Sequence, residues 1–175
     1  MVRNRRLTAV AIPAVVAVAA LAAGCGGSGN GDSASVPTHS QAATGQRVTV
    51  ALASVGGLGK VLVGSTGQTV YLFQKDALDK SACAGACATA WPPVLATGKP
   101  VVGSGAVASL VGTIARSNGK SQVTYAGHPL YLFDGDSAKG DVNGQGVNAF
   151  GARWYTVSSS GTAVKTQVSG SGNGY

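Results

Sequence analysis

The chain has 175 residues, a formal net charge of +7, 45% hydrophobic and only 11% charged residues, with 27 glycines, three cysteines and a single methionine. That length suits one modest folded domain and excludes a multidomain enzyme. A mean hydropathy of +0.21 excludes a long charged disordered chain, and no apolar run suits a polytopic membrane protein.

The chain opens on Arg3, Arg5 and Arg6, followed by an apolar stretch from Leu7 to Leu21 broken only by Thr8 and Pro13. At about 15 residues it falls short of the roughly 20 that a spanning helix needs, so residues 1–24 read as a secretory signal peptide. The exit Leu21-Ala22-Ala23-Gly24-Cys25 resembles the lipobox of bacterial lipoproteins, with Ala22 where that pattern prefers Leu. The resemblance implies that Cys25 is lipidated and holds the chain on the outer face of the bacterial cytoplasmic membrane; an unmodified Cys25 would leave it secreted.

Cleavage before Cys25 leaves 151 residues with ten basic and six acidic side chains. That balance gives no basis for nucleic-acid binding. Loss of Met1 removes the only thioether and with it any methionine-dependent copper site. Residues 26–46 are rich in Gly, Ser, Ala and Thr and hold no aromatic. With Cys25 they form an expected flexible tether, 25–46, spanning about 25 Å on average.

From Arg47 the texture changes to short apolar runs separated by Gly, Ser and Asn. The predicted strands are 48–52, 60–63, 69–73, 101–110, 112–115, 122–125, 129–133, 154–157 and 163–168, with a short helical turn near Cys83 to Ala90. Asn118-Gly119 is the clearest hairpin turn. The expectation is one all-β domain over 47–169, mainly antiparallel, a compact sandwich or barrel-like unit, followed by a flexible tail at 170–175.

A duplication organises this domain. Thr66 to Asp76 aligns without a gap on Ala126 to Asp136 at a constant offset of 60, and Trp91 and Trp154 follow if the second copy carries three extra residues. Two copies make a pseudo-symmetric pair, with repeats at about 58–98 and 116–160. Tyr71-Leu72-Phe73-Gln74-Lys75-Asp76 and Tyr131-Leu132-Phe133-Asp134-Gly135-Asp136 both fit Y-x-(F/W/Y)-x-x-D. The pair resembles a secreted-repeat family of bacterial lipoproteins that carries this motif in tandem. The resemblance implies an address and an architecture, and no reaction.

On a strand, Tyr71 and Phe73, like Tyr131 and Phe133, share one face, while the intervening leucine points to the other. Asp76 and Asp136 then fall just past the strand, where a carboxylate accepts backbone N–H groups of a turn. These six residues read as structural. Cys83 and Cys87, four apart outside the cytoplasm, read as a disulfide closing a small loop worth about 2 kcal/mol. The second repeat has no sulfur there. His128, whose counterpart is Gln68, reads as a turn residue at a strand start. The alternative is a transition-metal or redox centre built from Cys83, Cys87 and His128, the only soft or borderline ligands of the domain.

The acidic stretch Asp134 to Asp141 does not continue as a calcium loop, because its twelfth place is Gln145 and the chain contains no glutamate. No nucleophile elbow, phosphate loop or dinucleotide fingerprint follows any predicted strand. No catalytic constellation and no cofactor are therefore expected. The function expected is a lipid-anchored, non-catalytic module outside the cytoplasm that binds an envelope protein or wall component.

Overall fold

The computed structural model describes residues 47–166. The signal peptide, Cys25, the tether and the last nine residues lie outside the described residues. The β-branched and aromatic runs form short strands because their alternate side chains find two separate apolar interiors. In chain order the elements are β1 (Thr49–Ser54), β2 (Lys60–Val63), β3 (Tyr71–Phe73), α1 (Ala86–Ala90), β4 (Leu95–Ala96), β5 (Val101–Val102), a 3-10 turn (Ala108–Leu110), β6 (Val111–Ala115), β7 (Ser121–Tyr125), β8 (His128–Pro129), β9 (Asn148–Ala149) and β10 (Ala152–Thr156). Among the described residues the domain is mostly β, mainly antiparallel, with one short α-helix that carries Cys87 and ends at Trp91.

Three small sheets result: β2-β1-β5, β3-β10-β9 and β4-β7-β6, the last with β8 added to β7. None closes into a barrel. Among the described residues only the β1–β5 pair is parallel. The hairpin at Asn118-Gly119 is present, joining β6 to β7. Its turn is one residue longer than a two-residue loop: Gly119 N–H donates to Arg116 O and Arg116 N–H to Lys120 O, and Gly119 alone takes a positive φ of 75°, the glycine-bulge form of the turn.

Three predicted strands are formed at most in part among the described residues: of 129–133 only Pro129 lies in a strand, β8, and Tyr131 makes isolated bridges to Tyr71 and Pro93. Residues 101–110 contribute only Val101–Val102 before the chain turns through Gly103 and Gly105 into the 3-10 turn. Leu52 N–H donates to Ser104 O and Val107 N–H to Tyr125 Oη, so this backbone is satisfied by β1 and a side chain instead of a ladder. Of 163–168, residues 167 and 168 lie outside the described residues; Ala163 makes one bridge to Val157, and Gln145 Nε2 donates to Val164 O and Thr166 O. A buried amide replaces a neighbouring strand.

The repeats are interlocked. Strand β3 of the first repeat pairs with β10 of the second, Phe73 opposite Trp154 and Tyr71 opposite Thr156. The matching segment of the second repeat pairs with the Trp91 region of the first: Val94 N–H donates to Leu130 O, Leu132 N–H to Pro92 O and Asp134 N–H to Ala90 O. At the centre, Tyr71 N–H donates to Tyr131 O at 2.8 Å and Tyr131 N–H to Tyr71 O at 3.0 Å. A pseudo-twofold axis passes through this bridge. Leucines 72, 130 and 132 face an aliphatic interior with Val50, Leu62, Val70, Val123 and Val157. Tyr71, Phe73, Tyr131 and Trp154 face an aromatic one with Trp91, Cys83 and Cys87.

Candidate functional site

Across the pseudo-twofold axis each repeat's tyrosine reaches the other repeat's aspartate. Tyr71 Oη donates to Asp136 Oδ2 at 2.6 Å and Tyr131 Oη to Asp76 Oδ2 at 2.7 Å. The second oxygen of each carboxylate accepts a backbone N–H from the loop that follows it, from Ala82 at 2.7 Å for Asp76 and from Asn143 at 2.9 Å for Asp136. The aspartates thus cap their own loops, as their position past a strand suggests, and also clamp the opposite repeat. This exchange was not legible from the six-residue motif, which assigns the aspartate only to its own turn.

The rings repeat the same symmetry. Phe73 stacks on Trp154 (4.1 Å between centroids), Trp154 on Trp91 (3.9 Å) and Trp91 on Phe133 (4.3 Å), forming a four-ring column with the axis between the two indoles. Tyr71 stands edge-on to Trp91 and Tyr131 edge-on to Trp154, the geometry that ring quadrupoles favour. Gly144 admits the column: a Cβ there would lie 2.8 Å from the Trp91 ring and 2.9 Å from Tyr71, closer than packed carbons allow.

Burial raises the affinity of both aspartates for protons, opposed by their hydrogen bonds and, at Asp76, by Arg116 and His128. Asp141 adds to the rise at Asp136. Burial also pushes both phenols well above the ordinary tyrosine value, with the facing carboxylates adding to it. The tyrosines therefore stay protonated donors at any physiological pH.

Symmetry breaks around Asp76. Cys83 and Cys87 are joined by a disulfide, S–S 1.98 Å with Cα atoms 5.3 Å apart. The loop it closes is held by Arg116, which donates to Cys83 O at 2.6 Å, to Ser81 Oγ at 3.0 Å and to Gln122 Oε1. Ser81 Oγ also lies 2.8 Å from Tyr131 Oη. Sequence reasoning missed Arg116, Ser81 and the wholly buried Gln122. The available signal for Gln122 was a polar side chain inside an apolar alternation.

His128 does not join the two sulfurs. It lies half-exposed at the start of β8 and lines an open cleft of about 520 Å³ together with Leu72, Phe73, Gln74, Asp76, Thr162 and Lys165. Cys83 borders a different, smaller hollow beside Arg116. Among the described residues, no three His, Cys or Asp side chains gather as a metal would require, and each sulfur of a disulfide lacks the thiolate a metal binds. The acidic stretch is folded on itself: Asp141 Oδ2 accepts the N–H groups of Ser137 and Ala138, and Gln145 accepts Thr156 N–H at 2.9 Å.

With this paired geometry in view, comparison with known families is decisive. A family described as a secreted repeat of unknown function, Lipoprotein_15, matches residues 54–95 and 112–158, together just over half of the chain. The chain belongs to this family. Its two matched repeats contain the two interlocked halves, each with its own motif tyrosine, motif aspartate and tryptophan. No curated protein and no solved structure matches the chain. No described helix of this secreted-repeat protein is long and apolar enough to cross a membrane.

Proposed function

We propose that this secreted repeat is a non-catalytic binding module, carried outside the cytoplasm on a lipidated Cys25 and the 25–46 tether, which takes an envelope protein or wall component into the cleft beside His128. The supporting observation is a division of labour. The residues that both repeats share, Tyr71, Phe73, Asp76, Tyr131, Phe133 and Asp136, are engaged with one another and with the two indoles; of these only Phe73 and Asp76 also line the open cleft, where they meet His128, Lys165, Thr162 and Gln74.

Two experiments test it. Mass spectrometry of the mature N-terminus, after expression with the native signal, should find a diacylated or triacylated Cys25; an unmodified residue or another start refutes the anchoring. The purified mature chain should retain an envelope component under native conditions, and the His128→Ala, Lys165→Ala double variant should lose it while folding normally. Equal capture by both proteins refutes the cleft. Full thiol titration with one equivalent of bound transition metal would instead establish the metal or redox reading at Cys83, Cys87 and His128.

A further inference from the structure

Tyr71, Tyr131, Trp91 and Trp154 lie in one buried cluster, and phenol and indole are the side chains that most readily give up a single electron. A buried phenol that loses an electron becomes a very strong acid. It is therefore oxidised at an accessible potential only if a base removes its proton in the same event. Tyr71 and Tyr131 each have such a base in place, at 2.6 and 2.7 Å. Tyr125 is equally buried, but it donates to the Ser159 carbonyl, which cannot keep a proton. Beside each motif tyrosine stands an indole, and the two indoles are in face-to-face contact, 5° from parallel. The column ends at the half-buried Phe133.

We propose that this core is a proton-coupled radical trap for one-electron oxidants met outside the cell. The oxidant takes one electron from the Trp91–Trp154 stack. Tyr131 or Tyr71 refills the stack with one electron, and its phenol proton passes to Asp76 or Asp136. The balance is oxidant plus phenol plus carboxylate giving reduced oxidant, neutral phenoxyl radical and carboxylic acid. One electron from an external one-electron reductant, with return of the proton, restores the resting pair. Burial raises the proton affinity of both aspartates, which favours the transfer. Asp76 also borders the cleft, but the Tyr71–Asp136 pair does not, so the activity does not rest on what the cleft binds.

The test uses a variant in which Tyr125, Tyr155 and Tyr175 are replaced by Phe, leaving only the motif tyrosines of the five in the chain. A ruthenium(III) polypyridyl complex generated by a light flash serves as oxidant, with electron paramagnetic resonance as readout. The expected product is a neutral tyrosyl radical whose formation slows in deuterium oxide. Adding Asp76→Asn and Asp136→Asn should abolish that spectrum and leave a tryptophan radical, with an unchanged near-ultraviolet circular dichroism spectrum. If the Asn variant does not fold, the tyrosyl yield of the parent variant should fall several-fold as the aspartates are protonated by acid. Absence of a tyrosyl radical in the parent, a yield undiminished in the folded Asn variant, or a yield indifferent to acid overturns the proposal.

Discussion

Replacing Tyr131 by Phe removes one oxygen and leaves the ring edge-on to Trp154, so its cost reports the hydrogen bond to Asp76 together with the weaker neutral contact to Ser81 Oγ. A double-mutant cycle with Asp76→Asn isolates the Asp76 part. A bond to a charged acceptor contributes about 1.5–3 kcal/mol. Asp76 is only partly buried and keeps the Ala82 N–H at 2.7 Å, with Arg116 and His128 acting on it through space, so the middle of that range, about 2 kcal/mol, is expected. For a domain of about 120 residues, with an unfolding entropy near 2.1 cal/mol/K per residue, this lowers Tm by roughly 8 °C. Tyr71→Phe should cost about as much, because Asp136 is held by the same two kinds of bond. Denaturant unfolding of Tyr131→Phe, Asp76→Asn and the double variant closes a cycle whose coupling should be about 1–2 kcal/mol. A loss below about 0.5 kcal/mol with no coupling, the behaviour of an exposed polar pair, would refute the view that tyrosine–aspartate exchange fastens the repeats together.

Fragments 47–103 and 104–166 should each be disordered alone by NMR chemical-shift dispersion and fold when mixed in equal amounts, because each motif segment bonds to the other repeat; a fragment that folds alone refutes the interlock. Both aspartates bind protons more tightly folded than unfolded. Their contribution to stability is therefore complete below the ordinary aspartate value and is lost as pH rises through the raised value. Unfolding free energy should thus increase between pH 7 and about pH 4, and this slope should flatten in the Asp76→Asn, Asp136→Asn variant; an unchanged slope refutes it. Cys83→Ser with Cys87→Ser should cost about 2 kcal/mol in denaturant unfolding, and an unchanged midpoint would show that the small loop is held by Arg116 alone.

Much of this was legible one residue at a time. The 60-residue offset announces the duplication, and the alternation of Tyr71, Leu72 and Phe73 correctly assigns two faces, because strand geometry is a local property. The sulfur pair closes as its spacing suggests. What escaped is non-local. Valines 101 and 102 begin a β-rich run, yet Ser104 and Val107 bond to β1 and Tyr125, which no window of sequence can show. The cleft depends on His128 and Lys165 meeting from distant segments. The exchange between repeats escaped for a different reason: an aspartate just past a strand reads as the cap of its own turn, which Asp76 and Asp136 are, and only three-dimensional placement shows that each also holds the tyrosine of the other repeat.

The central axis also bears on how such a chain can change over generations. Two unlinked copies of one repeat, meeting about the same axis, would form a self-complementary pair in which residue i of one copy faces residue j of the other and j faces i. In that arrangement every substitution occurs twice, so a cysteine pair or a histidine suited to one end is also imposed on the other. Joining the copies in one chain lifts that restriction. Arg116 and His128 act on Asp76 alone, and the disulfide of Cys83 and Cys87 closes the loop that follows Asp76, while Asp136 keeps Asn143 and Asp141. One end of the molecule can then drift toward a new ligand while the other preserves the fold.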